Sequence, residues 1–280
     1  MSSAQEITKK SQSNLALAFF ALPRQRREAI TIFYAFCRHI DDLADDASQP
    51  LDERVAALQA WRAALRGPIP GEMPFAAEMR GVIEQYRINL RYLDDILDGV
   101  ESDLSPSRFQ TFSDLSRYCY RVASAVGLVS IEIFGYRNPG TRRYAYILGH
   151  ALQLTNIIRD VEVDLRNGGR IYLPLSEVEQ YGYSEEQLLA RAYNRRFLNL
   201  MQAQAERAHG FFREARRLLP REDVRSMVAA ELMRATYFRL LQKIEADRFR
   251  MFCRRYRLGT AEKLSMITLA LSSNCLGIKL

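Results

Sequence analysis

The sequence predicts an all-α fold, a single helical bundle built around a central cavity. Three observations carry this. Gly (14) and Pro (9) are sparse in 280 residues, and long stretches are rich in Ala, Leu, Arg, Glu and Gln. Apolar residues, 48% of the chain, recur at spacings of 3 and 4 rather than alternating. No strand pattern of useful length, solenoid repeat or low-complexity linker interrupts residues 1–280, so one domain is expected.

The elements follow in order. Pro23 suits a first helical turn, and Ile30, Phe33, Tyr34, Cys37, Ile40 and Leu43 mark one face of a helix over 23–47. A second helix over 51–66 meets the breaker Gly67-Pro68-Ile69-Pro70-Gly71. Helices are expected at 75–87 and 90–100, then at 112–134 with Ser113 as N-cap and an end near Gly135. Asn138-Pro139-Gly140 is a turn before a long helix from Thr141 to Leu165, which Gly168-Gly169 terminates. Arg170–Pro174 reads as extended. Helices resume at 184–217, after Pro220 to about 255, and at 260–272.

Composition narrows the function. The net charge of +7 points to anionic partners, but no basic run interleaves with aromatics as a nucleic-acid strip would. P-loop, GxGxxG and HExxH motifs are absent, and His39, His150 and His209 are far apart in sequence. Cys37, Cys119, Cys253 and Cys275 form no CxxC pair and read as free thiols of a reducing compartment. The polar start MSSAQEITKKS lacks a signal-peptide core, and no run reaches the ~18 apolar residues of a membrane span. A cytoplasmic protein is expected. Its C-terminal segment 264–280 reads as a core helix or a membrane-surface helix.

Three acidic clusters remain: Asp41-Asp42-Leu43-Ala44-Asp45, Asp94-Asp95-Ile96-Leu97-Asp98 and Asp160-Val161-Glu162-Val163-Asp164. Each stacks carboxylates four apart, ~6 Å along a helix axis. Such pairs can hold hydrated divalent cations, yet most acidic residues at this spacing merely face solvent. The first and third clusters differ in context. Tyr34, Arg38, Asp41 and Asp45 fall within a ~60° stripe, and Gln153, Asn156, Asp160 and Asp164 form a second narrow stripe. Both helices are otherwise apolar, so these polar groups need partners. Two such stripes predict a shared cavity for cations and an anionic substrate. The middle cluster is read as structural, with Asp98 or Asp103 near the cavity.

At these residues the sequence resembles the squalene/phytoene synthase family. FYAFCRHIDDLADD is similar to its first Asp-rich helix, RYCYRVASAVG to its central signature, and ALQLTNIIRDVEVDLRNGGRIYLP to its second Asp-rich helix and following loop. The resemblance implies an isoprenoid-synthase helical bundle that condenses two prenyl diphosphates head to head. Asp41, Asp45, Asp160 and Asp164 would bind Mg2+, assisted by Asn156. Tyr34, Arg38, Gln153, Arg159, Tyr237 and an arginine at Arg254 or Arg255 would contact diphosphates. Tyr118 would stand near the carbocation, while Val122, Ala123 and Gly127 line the tunnel for the prenyl tails. Ser13 and Asn14 lie where many members carry Ser-Ser-Phe-Tyr, and Leu15 replaces an aromatic there.

Members part at the cyclopropyl product: some release it, squalene synthases reduce it with NADPH, and phytoene synthases rearrange it without reductant. RVASAVG is most similar to bacterial presqualene diphosphate synthases of the hopanoid route, since phytoene synthases more often read VAGTVG or VAGVVG. Two C15 farnesyl diphosphates are therefore the expected substrates, with two C20 diphosphates or a full NADPH-dependent squalene synthase as alternatives. A catalytically inactive member acting as a membrane-associated partner would show damaged Asp stripes, and all four aspartates are intact. The apolar products imply a peripheral membrane contact.

Overall fold

The structure is a computed structural model and describes residues 19, 22–46, 48–73, 75–105, 108–276 and 279. Ser13 and Asn14, named above, lie outside the described residues. All regular elements among the described residues are helical. The extended character expected of 170–174 appears as an isolated bridge between Ile171 and Arg108, and Leu175 and Ser176 donate backbone N–H bonds to Phe109 and Gln110.

Helix α1, Arg24–Asp45, follows Pro23, which acts as its N-cap (φ −53°). It buries Ile30, Phe33, Phe36, Ile40 and Ala44 along one face. Helix α2, Leu51–Ala64, meets it through Trp61, whose ring lies edge-on to Phe36 at 5.1 Å. Helices α3, Ala76–Tyr86, and α4, Leu90–Ser102, follow, the latter capped by the Asn89 side chain on the Arg91 N–H.

The helix expected over 112–134 is three pieces: α5, Phe112–Cys119, a π-helical turn, Tyr120–Ser124, and α6, Ala125–Phe134. Its N-cap is Thr111, not Ser113. The Thr111 hydroxyl accepts the Asp114 N–H while the Asp114 carboxylate accepts the Thr111 N–H, and Ser113 has no acid three residues on to complete such a box.

Helix α7, Thr141–Arg166, is the central strut. It buries residues on nearly every side, from Tyr144 and Leu148 to Ile158 and Leu165, as a helix inside a bundle must. A short helix α8, Leu175–Gln180, comes next. The stretch expected as helical over 184–217 is divided into a short α9, Glu185–Leu189, and α10, Arg195–Leu218, which packs along α7. Ser184 and Asn194 each cap a new start. Beyond Pro220 a 3-10 turn, Arg221–Asp223, precedes α11, Val228–Ala246, which ends well before residue 255. Arg248 and Phe249 take left-handed backbone there and break the helix. Helix α12, Thr260–Leu276, packs on α11 and buries Ala270.

No helix among the described residues is long and apolar enough to cross a membrane. Cys37, Cys119 and Cys253 are free thiols, and the Cys275 side chain lies outside the described set.

Candidate active site

The two acidic stripes meet. One cavity of about 910 Å³ is lined by Arg38, Asp41 and Asp45 from α1 and by Gln153, Asn156, Arg159, Asp160 and Asp164 from α7. Tyr118 and Val122 close a third side. At Asp41 and Val122 this polar cavity abuts a second, apolar one of about 960 Å³. Tyr34, Ala123 and Gly127 line the apolar chamber rather than the polar one, and Val122 lines both.

The electrostatics follow from this packing. Protein surrounds the Asp41 carboxylate on most sides although it faces the open cavity. Burial, with Asp45 and Asp103 nearby, pushes it up to about 7 against the pull of Arg38. Burial and the neighbouring Asp160 push Asp164 up to about 7 as well, against Arg170. Arg159 grips Asp160 through two N–H bonds, donates to Tyr237, and stays charged.

The chemistry of this donor set suits a hydrated divalent cation. The Asn156 carbonyl oxygen is buried without a hydrogen-bond partner, an orphaned acceptor that a cation or its water would satisfy. Among the described residues no three His, Cys, Asp or Glu groups converge into a closed metal cage. An ion bound by one or two carboxylates, waters and substrate phosphates needs no such cage.

Three contributors were not assigned a role from sequence. The Asp103 carboxylate lines the cavity and accepts hydrogen bonds from Tyr118 Oη (2.8 Å) and Tyr172 Oη (2.9 Å). Arg170 reaches across from the loop after α7 to Asp45 on α1 (3.0 Å) and to the carbonyl of Asp103 at the end of α4 (3.1 Å), tying the first stripe to Asp103. The signal was in the sequence: Gly168 and Gly169 adopt left-handed backbone (φ 75° and 68°) and turn the chain back over the cavity, carrying Arg170 and Tyr172 with it.

Arg254 and Arg255 are a correction. Neither lines the cavity of the aspartates. They border a neighbouring groove along the adjacent flank of α7, with Glu162, Val163 and Arg166. Arg254 pairs with Asp247 at 3.1 Å. The early end of α11 carries residues 250–255 round to that side, and Arg159 is the one residue common to both spaces.

The middle acidic cluster is structural. Asp94 is held by Arg66 (2.7 Å), Asp98 by Arg62, and Asp95 accepts from Tyr120 Oη (2.6 Å). Of the two residues expected near the cavity, Asp103 lines it and Asp98 does not.

The profile described as squalene/phytoene synthase matches residues 8–262. The chain belongs to the squalene/phytoene synthase family. It is 34% identical over 283 residues to a 15-cis-phytoene synthase of Synechococcus elongatus, covering 95% of this chain and 91% of that one. It is also 34% identical over 260 residues to a presqualene diphosphate synthase of Rhodopseudomonas palustris, covering 91% of each. The fold is similar to that of a dehydrosqualene synthase (TM-score 0.82, 25% identity, 96% and 94% coverage). It is likewise similar to a squalene synthase from Alicyclobacillus acidocaldarius (TM-score 0.75, 25% identity, 88% and 93% coverage). The protein is a prenyltransferase of the isoprenoid-synthase fold, in a family that joins prenyl diphosphates head to head with divalent metal.

Proposed function

We propose that the protein condenses two C15 farnesyl diphosphates to presqualene diphosphate in the presence of Mg2+. The observation that carries this reading is the polar cavity of the two aspartate stripes, which abuts an apolar chamber for the tails at Asp41 and Val122. C15 is chosen over C20 on the likeness of RVASAVG to presqualene diphosphate synthases and the 34% identity to the Rhodopseudomonas palustris enzyme.

Asp41, Asp45, Asp160 and Asp164, with Asn156, would hold the Mg2+, which neutralises the leaving diphosphate when bound. Arg38, Gln153, Arg159 and Arg170 orient the diphosphates. Arg170 releases Asp45 for this, and Tyr237 steadies Arg159. Ionisation of one substrate leaves an allylic cation beside Tyr118, and the double bond of the other attacks it. Proton loss then closes the cyclopropane; the diphosphate freed at ionisation leaves, and the other stays on the product. Val122, Ala123 and Gly127 leave room for the tails, while the aromatic walls exclude water and face the cation. Released in this form, the product needs no NADPH.

A second reading is a phytoene synthase working on two C20 substrates, favoured by the 34% identity to the Synechococcus 15-cis-phytoene synthase. One incubation separates the two. Equimolar C15 and C20 diphosphates with Mg2+, with and without NADPH, should give a C30 diphosphate independent of NADPH. A C40 hydrocarbon as main product would overturn the C15 assignment, and a C30 hydrocarbon only with NADPH would make the enzyme a full squalene synthase.

The amphiphilic substrates and the +7 charge support reversible docking of a cytoplasmic enzyme on anionic membrane. Co-sedimentation with anionic vesicles should fall as salt rises. Equal recovery with neutral vesicles would dismiss it.

A further inference from the structure

The π-helical turn Tyr120–Ser124 interrupts the helix that carries both Tyr118 and the tunnel wall. Such turns hold one extra residue and are rare. Its consequence here is a matter of phase. The residues beyond it that line the apolar chamber include Val126, Gly127, Ser130, Ile131 and Phe134. In an unbroken α-helix at ~100° per residue, their mean direction would lie ~150° from Tyr118, and one extra residue in the turn removes ~100° of that, leaving ~50°. The bulge therefore puts Tyr118 on the same side of the helix as the tunnel wall.

The surroundings hold the bulge in place. A methyl group at Gly149 of α7 would lie 2.5 Å from the Ser124 Cα, and one at Gly99 of α4 would lie 2.7 Å from Val122. The two flanking helices thus approach the turn as closely as glycine permits. His150 spans the turn from end to end. The Ser124 hydroxyl donates to the Tyr146 carbonyl (2.7 Å), so it accepts from His150 Nδ1–H (2.8 Å). His150 Nε2 then accepts from the Ser116 hydroxyl at 3.0 Å. His150 is 1% exposed, and burial lowers its pKa, so the ring stays neutral and keeps this arrangement of donors.

We infer that His150 is a positioning residue for the condensation, acting through the π turn to hold Tyr118 in line with the prenyl tunnel. This rests on the reading of the two cavities as the reaction chamber. His150 touches neither cavity, so its loss should spare binding of the diphosphates and misplace the reacting carbons. A misplacement of ~1 Å costs about a hundredfold in rate.

The test is steady-state kinetics of full-length His150→Phe, which keeps a planar ring and loses both nitrogens, with C15 diphosphate and Mg2+. The expected result is a kcat reduced at least tenfold, a KM within about twofold, and more prenyl alcohol from water capture of the cation. His150→Gln, which can still donate and accept, should recover part of kcat. A folded His150→Phe with wild-type kcat and product ratio, altered only in melting temperature, overturns the inference. If that variant does not fold, Ser116→Ala removes one end of the brace. It should lower kcat several-fold, and wild-type kcat there overturns the inference equally. Tyr118→Phe is run alongside. Full turnover in both Tyr118→Phe and His150→Phe faults the chamber assignment, whereas loss in Tyr118→Phe alone faults only the brace.

Discussion

Asp164→Asn tests whether the chamber is built to hold charge that the protein alone does not neutralise. Burial and Asp160 raise the Asp164 carboxyl from 3.8 to about 7. Its folded-state pKa lies above its unfolded value, so its contribution to stability is complete below pH ~4 and is lost as pH rises through about 7. At ~1.36 kcal/mol per pKa unit the displacement corresponds to about 4 kcal/mol at pH 8. Solvent in the open cavity screens this, and ~1–2 kcal/mol is a fairer figure. Asparagine is neutral at every pH. Metal-free Asp164→Asn should therefore melt about 2–8 °C above wild type at pH 8. The gap should close as the pH is lowered toward 4, while turnover is lost. Calorimetry in EDTA across that range reads the effect directly. Mg2+ with inorganic diphosphate should stabilise wild type more than the variant. A gap of equal size at both ends of the pH range, or a less stable variant at pH 8, would refute the reasoning.

Asp41→Asn and Asp160→Asn should each lower turnover by about a hundredfold or more with an unchanged circular dichroism spectrum. Asp94→Asn, whose partner is Arg66 outside the chamber, should stay within about twofold, and comparable damage there would move the metal site. Arg170→Gln removes the link between Asp45 and Asp103 and a cation from the chamber. It should weaken Mg2+–diphosphate binding about tenfold by calorimetry, a change of ~1.4 kcal/mol, and undiminished affinity would show that Arg170 serves only to tie Asp45 to Asp103.

The sequence carried the parts of the site that have a helical period. Asp41 and Asp45, and Asp160 and Asp164, are each one helical turn apart, so α1 and α7 had to present them as stripes, and an apolar setting made a shared cavity the economical outcome. The π turn was not legible, because RVASAV has no local mark of it. What holds it is the approach of Gly99 and Gly149 from helices distant in sequence. The division of 184–217 could have been read from Asn194, a capping residue that the apolar period overrode. Arg254 and Arg255 were misplaced for a different reason. A motif specifies neighbours along the chain, but the side of α7 on which they arrive depends on where α11 stops, and the left-handed pair Arg248 and Phe249 decides that. Asp103 was placed near the cavity only as an alternative to Asp98. Its place depends on Tyr118 and Tyr172, which belong to different elements.

The most direct test of the account is the stoichiometry of the reaction. Purified enzyme, C15 diphosphate and Mg2+ are incubated without reductant, and released diphosphate is counted against substrate consumed and C30 product by mass spectrometry. Head-to-head condensation to presqualene diphosphate predicts one diphosphate released for every two substrates consumed, with the other retained in the C30 product. One diphosphate released per substrate, with a C15 alcohol or C15 hydrocarbon as the product, would contradict it.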